Sequence, residues 1–301
     1  MDGKPGKTQR AEPARIRKLS GMRIVSLLPS ATEIVVELGL GDSLVGRSHE
    51  CNWPGSIKSV PVVSSSRIDS ERLSGAQINE AVRAALTQGE ALYAVDGALL
   101  ASLHPDVIIT QDLCRVCAVS GDDLHEVGAR VISLGPRTIA EVAGSVRYLG
   151  QELDAEAKGH ELAAQMLERI ERVRLSVEGR RRPRVFLAEW LEPPFACGHW
   201  IPEMVSAAGG EEVMGRAAER SFPTTWEAVR AAAPELVIAA PCGFDEARAA
   251  RDAGAIDVGC PVVAVDADRY FVRPSPSLAE GVEVLARIFH GRDGGAGTRV
   301  V

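Results

Sequence analysis

The chain has 301 residues, 46% hydrophobic and 25% charged, a globular balance that excludes disordered, collagen-like and fibrous classes. Its 34 Lys and Arg against 41 Asp and Glu leave a net charge of −7. The short run Arg180-Arg181-Arg182 is no substitute for the basic stripe of a nucleic-acid binder, so nucleic acid is excluded as a partner.

Residues 1–21 are polar and basic, without the apolar stretch of a secretory signal, and are expected to be a disordered tail on a cytoplasmic protein, the alternative being a periplasmic or extracellular one whose leader was removed. The first apolar run, Ile24–Leu28, is far too short for a membrane span and predicts a buried strand; no membrane insertion is expected. Ser30-Ala31-Thr32-Glu33 matches a capping box and Gly39 a helix-ending glycine, which predicts a first helix between them. That helix would start at the carboxyl edge of a sheet, where open α/β sheets bind ligands. Further β-branched runs follow at Val107–Thr110, Val131–Leu134, Val185–Leu187, Leu236–Ala239 and Val262–Val265, with helical spacing between them. This alternation predicts an α/β fold with mainly parallel sheets.

The two halves repeat each other. Leu103-His104-Pro105-Asp106-Val107-Ile108-Ile109 parallels Ala232-Ala233-Pro234-Glu235-Leu236-Val237-Ile238: a helix end, a proline, an acid, then a strand. Likewise the strand and helix ending at Gly39 match a strand at Val185–Leu187 and a helix ending at Gly209-Gly210. Between the repeats, Ala155 to Glu178 lacks proline and places Leu162, Met166, Ile170 and Val173 at helical spacing. About 24 residues at 1.5 Å each make a helix of roughly 36 Å, long enough to join two lobes. The expected organisation is an N-terminal α/β lobe over 22–153, a connecting helix over 154–180 and a C-terminal α/β lobe over 181–290. A disordered tail is expected over 291–301.

Four stretches carry a family resemblance. They are Ser26-Leu27-Leu28-Pro29-Ser30-Ala31-Thr32-Glu33, Leu103-His104-Pro105-Asp106-Val107-Ile108, Val185-Phe186-Leu187 through Pro193-Pro194-Phe195 to Ala208-Gly209-Gly210, and Asp268-Arg269-Tyr270-Phe271-Val272-Arg273-Pro274-Ser275-Pro276. With two lobes and one long helix, the chain resembles the class III substrate-binding proteins of ABC importers for cobalamin, haem and ferric siderophores. The Pro-Pro-Phe stretch and the late Asp-aromatic-Arg-Ser-Pro element most resemble the cobalamin-binding members. The resemblance implies a small metal-chelate ligand, a corrinoid first, held between the lobes, and importer components as partners. No catalytic elbow, P-loop or zinc-protease motif accompanies it, and no enzyme activity is expected.

A flat macrocycle needs rigid apolar faces, which aromatic side chains supply. Trp190, Phe195, Trp200, Trp226, Tyr270 and Phe271 are therefore ligand-binding candidates, whereas Phe186 and Phe222 are expected in the core. Arg273 offers a planar fork for rim carboxylates or amides, and His199 a metal ligand. The cobalamin-binding members line their first lobe with Tyr and Trp. Here those stretches read Ser48-His49-Glu50-Cys51-Asn52-Trp53-Pro54 and Thr110-Gln111-Asp112-Leu113-Cys114-Arg115-Val116-Cys117, so Glu50, Trp53 and Gln111 join the candidates.

The cysteines admit a second reading. Cys114 and Cys117 form a C-x-x-C after a strand, with Cys51 and Cys242 on other strand-end loops. Such thiolates could hold zinc or an iron–sulfur cluster, making a cytosolic sensing or catalytic centre. Buried inert thiols or a redox dithiol are the alternatives.

Overall fold

A computed structural model describes residues 21–111, 128–291 and 298–301. In chain order the first half holds β1 (Ile24–Ser26), α1 (Pro29–Glu37), β2 (Leu44–Arg47), β3 (Ser64–Ser66), α2 (Gly75–Gln88), β4 (Tyr93–Val95), α3 (Gly97–Ser102), β5 (Val107–Gln111), β6 (Arg130–Leu134) and α4 (Ile139–Glu152). After α5 (Glu156–Ser176) come β7 (Arg184–Leu191), β8 (Pro194–Ala196), α6 (Ile201–Ala207), β9 (Glu211–Glu212), β10 (Phe222–Pro223), α7 (Trp226–Ala231) and β11 (Leu236–Ala239). The chain ends with α8 (Glu246–Ala253), β12 (Val262–Val265), α9 (Ala267–Tyr270), α10 (Leu278–Phe289) and β13 (Thr298–Val300).

The fold is α/β with two main sheets. The first is parallel, in the order β2-β1-β5-β6. The second runs β10-β8-β7-β11-β12-β13, parallel across β7, β11 and β12 and antiparallel at both flanks. All six strands expected from the sequence form. The expected disorder of 291–301 is corrected in part, because β13 extends the second sheet beside β12.

The repeat in the sequence is a repeat in the backbone. His104 and Ala233, each just before the proline, both take positive φ, at 43° and 48°. Pro at the next position disfavours the α region for them, so each helix ends there. The acid that follows starts its strand on the same main-chain bond: Asp106 N to Arg23 O and Glu235 N to Arg184 O, both 2.8 Å. The glycines ending the paired helices, Gly39 and Gly209, share φ 82°, a conformation that carries no Cβ penalty in glycine.

The expected connecting helix is α5, 21 residues long. It packs along α4 on one side and against α10 and α6 on the other, so it touches both halves. Closest approach is glycine on glycine: a Cβ at Gly150 would lie 2.8 Å from the Gly159 Cα, and one at Gly159 2.9 Å from the Gly150 Cα. Gly159→Val is expected to lower stability by about 1–3 kcal/mol through overpacking, seen as a lower urea midpoint. An unchanged midpoint would mean the two helices can separate without cost.

The capping box at Ser30 and Glu33 does not form. Helix α1 is capped by Leu28 with no side-chain hydrogen bond, and Pro29 takes the first turn. Proline is pre-shaped for that position and has no N–H to satisfy. Glu33 is buried instead and turned toward the other half, 3.9 Å from Arg269.

Candidate ligand-binding cleft

Parallel strands put their following loops on one edge, and this decides what meets what. From the first sheet, β1 leads to the start of α1, β2 to Ser48–Pro54, and β5 ends on Gln111. From the second, β7 ends at Trp190-Leu191, β11 leads to Ala240–Phe244, and β12 to Asp266–Tyr270. These edges face each other, because hydrogen bonds join them. Asn52 Nδ2 donates to Asp268 Oδ2 at 2.9 Å. Arg273 Nη2 donates to the same Asp268 oxygen at 2.6 Å and to Asn52 Oδ1. The Arg269 guanidinium lies 4.8 Å from the Trp53 ring centroid, a cation–π distance.

On the other side of this junction, Trp190 Nε1 donates to Gly75 O and to Glu192 O, each at 3.2 Å. Glu192 Oε2 accepts from Ala76 N at 3.2 Å, and Arg248 Nη2 donates to Leu73 O at 3.0 Å. A third cross-link has Glu203 Oε2 accepting from Ile139 N at 2.7 Å. Glu192 and Glu203 thus each satisfy an otherwise free N–H at a helix start in the opposite half.

The expected ligand residues divide. Trp53 is 43% exposed, and Glu50 sits beside His49, whose Nε2 is 3.3 Å from its carboxylate. Trp190 is half-buried with its ring edge-on to Phe244, centroids 5.2 Å apart. Tyr270 is half-buried next to Arg269. Gln111 is buried at the tip of β5. Phe195 is half-buried on β8 and pairs with Trp190.

Two expectations are corrected. Trp200 is 5% exposed and Phe271 fully buried, both in the main core, with Trp200 Nε1 donating to Phe271 O at 2.8 Å. Trp226 packs edge-on against the core residue Phe186 at 6.1 Å. Trp200 and Phe271 follow strands in sequence, but Trp200 caps the start of α6 and Phe271 the end of α9, and both rings are turned into the core. Phe222, expected there, is only half-buried under Arg216.

Arg273 is the most committed of the polar candidates. It is 3% exposed, yet its Nε and Nη1 have no hydrogen-bond partner, so it works first as a bridge between halves. His199 lies in a backbone conformation unusual for a non-glycine, φ 50°. Its Nε2 is buried without a partner, and burial, then Arg137 and Arg220, lower its pKa. It therefore favours the neutral imidazole, the form that binds metals.

The cysteine centre fares differently. Cys114 and Cys117 lie outside the described residues. Cys51 is fully buried, accepts from Thr32 Oγ1 at 2.9 Å, and burial pushes its thiol up to about 11. Metal binding needs the thiolate, which this pocket opposes. Cys242 is exposed on the other half. Among the described residues, no three His, Cys, Asp or Glu are grouped to hold a metal ion. Brief treatment of the native protein with iodoacetamide is expected to label Cys242 and spare Cys51 and Cys197, as read by peptide mapping. Labelling of Cys51 at the rate of Cys242 would contradict the burial described.

Between Ser74, Gly75, Trp190, Glu192, Phe244 and Asp252 lies a cavity of about 160 Å³. Pockets for drug-sized ligands run roughly 300–1,000 Å³, so this one is a partly closed mouth and not a preformed macrocycle site.

Comparison with known proteins agrees with the architecture. A vitamin B12-binding protein of Yersinia pestis is 25% identical over 226 residues, covering 72% of this chain and 68% of that protein. An uncharacterized ABC transporter substrate-binding lipoprotein, YvrC of Bacillus subtilis, is 25% identical over 146 residues, 48% of this chain. That match spans only 38% of the lipoprotein's length. Among solved structures, the periplasmic vitamin B12-binding protein BtuF of Vibrio cholerae superposes with TM-score 0.64 at 21% identity, covering 89% of this chain and 96% of that one. A periplasmic haem-binding protein of Pseudomonas aeruginosa gives 0.65 at 18% identity, over 93% and 95%. The two solved structures are of periplasmic proteins and one relative is a lipoprotein, so they give the cytoplasmic expectation and the cytosolic cysteine centre no support. No helix among the described residues is long and apolar enough to cross a membrane. A profile of the periplasmic binding proteins matches residues 24–258, and with two sheets meeting at their carboxyl edges the chain belongs to that family.

Proposed function

We propose that the chain binds a corrinoid, or a kindred tetrapyrrole or iron chelate, between the facing sheet edges and delivers it to an ABC importer. The observation that carries this reading is the placement of Trp53 in the loop after β2, Trp190 at the end of β7 and Tyr270 at the end of α9, all at those edges, where large rigid faces could sandwich a macrocycle. The vitamin B12-binding relative, matched over 226 residues, favours the corrinoid within this class. His199 is the candidate to ligate the ligand's metal, and the delivery role places the protein on the importer's side of the membrane, as in the lipoprotein relative. Neither zinc nor an iron–sulfur cluster is part of this reading.

The test is an absorption spectrum before and after incubation with hydroxocobalamin and desalting, with haemin in parallel. Retained corrin bands in about one equivalent are expected. Retention of haemin alone would move the ligand to a haem, and retention of neither would refute macrocycle binding. Trp190→Ala is expected to weaken corrinoid binding by about 1–3 kcal/mol through loss of a stacking face. Titration by quenching of tryptophan fluorescence would measure it, and an unchanged affinity would remove Trp190 from the site.

A further inference from the structure

The segment between β3 and β4 is rooted in one half of the molecule and buried in the other. At its roots, Val63, Tyr93 and Val95 pack on the first sheet's cluster of Val25, Leu27, Leu100 and Ile108. There β3 and β4 form a small antiparallel sheet of their own. At its far end is α2, whose one buried residue is Ile78. Ile78 lies in the second sheet's cluster with Phe186, Leu191 and Phe244, and Leu73 and Val82 lean on the same cluster.

Three hydrogen bonds hold this end, and all use the arm's main chain: Leu73 O, Gly75 O and Ala76 N. One buried side chain, two half-buried neighbours and three polar contacts make a small patch, the kind of contact that opens locally while the core stays folded. The helix also carries its own ends. Ser74 and Gln77 form a complete capping box, and Gly89 closes the helix in a left-handed conformation. Detached, α2 would lose none of its caps.

We propose that residues 67–92, carrying α2, are a lid that lifts from the edge of the second sheet to admit the ligand and closes again on Trp190 and Glu192. This rests on the cleft being the ligand site. The cavity of about 160 Å³ lies under the lid's first turn, at Ser74 and Gly75. Lifting that turn joins the cavity to solvent and uncovers Trp190, Leu191 and Phe244, the apolar floor a macrocycle needs. It also releases the Glu192 carboxylate from Ala76, the Arg248 Nη2 from Leu73 and one of the two acceptors of the Trp190 N–H, so polar groups for a ligand rim become available in the same movement.

The geometry supplies its own lock. A Cβ at Gly75 would lie 3.9 Å from Glu192 Cβ, within the span of about 3.5–4.5 Å that a disulfide bridges. The experiment uses the full chain carrying Gly75→Cys with Glu192→Cys, oxidised and then reduced with dithiothreitol. Without ligand, hydrogen exchange of α2 amides is expected to run at least about tenfold faster than that of β1 and β5, and oxidation to remove most of that difference. Equal protection of α2, β1 and β5 in the unmodified protein would overturn the lid. Ile78→Asp serves as the second variant: it is expected to speed exchange in α2 alone, and a parallel loss of protection in β1 and β5 would overturn the proposal. With hydroxocobalamin, the oxidised form is expected to take up ligand at least about tenfold more slowly than the reduced form. Undiminished uptake by the locked protein would refute a gating role. If the unmodified protein retains no macrocycle, the ligand reading falls while the exchange measurement still decides whether the arm opens.

Discussion

Replacing Trp200 by alanine is expected to cost about 3–5 kcal/mol of unfolding free energy and to leave the ligand affinity of the folded fraction unchanged. Domains are stable by only about 5–15 kcal/mol, so the variant should stand near its unfolding threshold at 37 °C. The ring is 5% exposed in the cluster that joins both halves, beside Phe271, Ile201 and Met204. Removing it leaves a cavity and also strips the Phe271 carbonyl of its donor at 2.8 Å. Both losses are structural. Trp200→Phe separates them, because it refills much of the volume but not the hydrogen bond, and should cost about 1–2 kcal/mol. Urea unfolding monitored by circular dichroism measures both variants. A loss below about 1 kcal/mol for Trp200→Ala, far under the usual cost of emptying such a site, coupled to lost binding, would return the indole to the cleft.

That residue also marks where the sequence could be read and where it could not. The strands were legible because each is a short β-branched run, buried throughout in β1 and β5 and alternating in β6. The repeat was legible for a similar reason: proline and an acid at one spacing impose the same turn twice, down to the positive φ of His104 and Ala233. Side-chain direction was less accessible. A ring just after a strand can stay exposed at the sheet edge, as Trp53 does, or turn inward on a short helix, as Trp200 does, and local composition is alike in both cases.

The two capping boxes make the same point. Ser30 and Glu33 have the right spacing, but Pro29 fills the first helical turn and Glu33 is drawn to Arg269 across the junction. The box that forms is Ser74 with Gln77, in a stretch whose strands, Ser64–Ser66 and Tyr93–Val95, have too little apolar pattern to announce themselves. Recognising Ser74-Gly75-Ala76-Gln77 and Gly89 as helix ends would have found α2. Nothing local could have shown that Ile78 is buried in the other half, since that contact is 108 residues or more distant in sequence, at Phe186 and beyond. The Arg273 bridge was half legible: the residue was singled out, but its partners Asn52 and Asp268 come from both edges.

The same junction predicts how stability varies with pH. Where α1, α5, α9 and α10 meet, four carboxylates share two guanidinium groups. Arg269 Nη2 pairs with Glu280 at 2.8 Å and its Nη1 lies 3.9 Å from Glu33; Arg169 Nη2 pairs with Glu283 at 3.1 Å. Glu37, on the next turn of α1 after Glu33, is short of a cation. Burial first, then Glu33 and Glu280, raise its pKa from 4.5 to about 7, against the opposing pull of Arg269 and Arg169. Burial raises Glu33, Glu212 and Asp266 as well. A carboxylate raised in the folded state favours folding below its unfolded pKa, and that advantage is lost as pH rises through the folded value. At about 1.4 kcal/mol per pH unit, Glu37 alone should withdraw about 2–3 kcal/mol between pH 5 and 8 once its partial exposure is allowed for. His199, lowered by burial, acts in the opposite direction, since its contribution is lost as pH falls below about 6.5. The comparison with Glu37→Gln isolates the junction, because His199 is common to both proteins. Urea midpoints at several pH values should fall with rising pH in the unmodified protein and fall distinctly less in Glu37→Gln, which at pH 8 should be the more stable of the two. Parallel pH curves for the two proteins would mean that Glu37 ionises at an ordinary carboxylate pKa and that the junction holds no proton at neutrality.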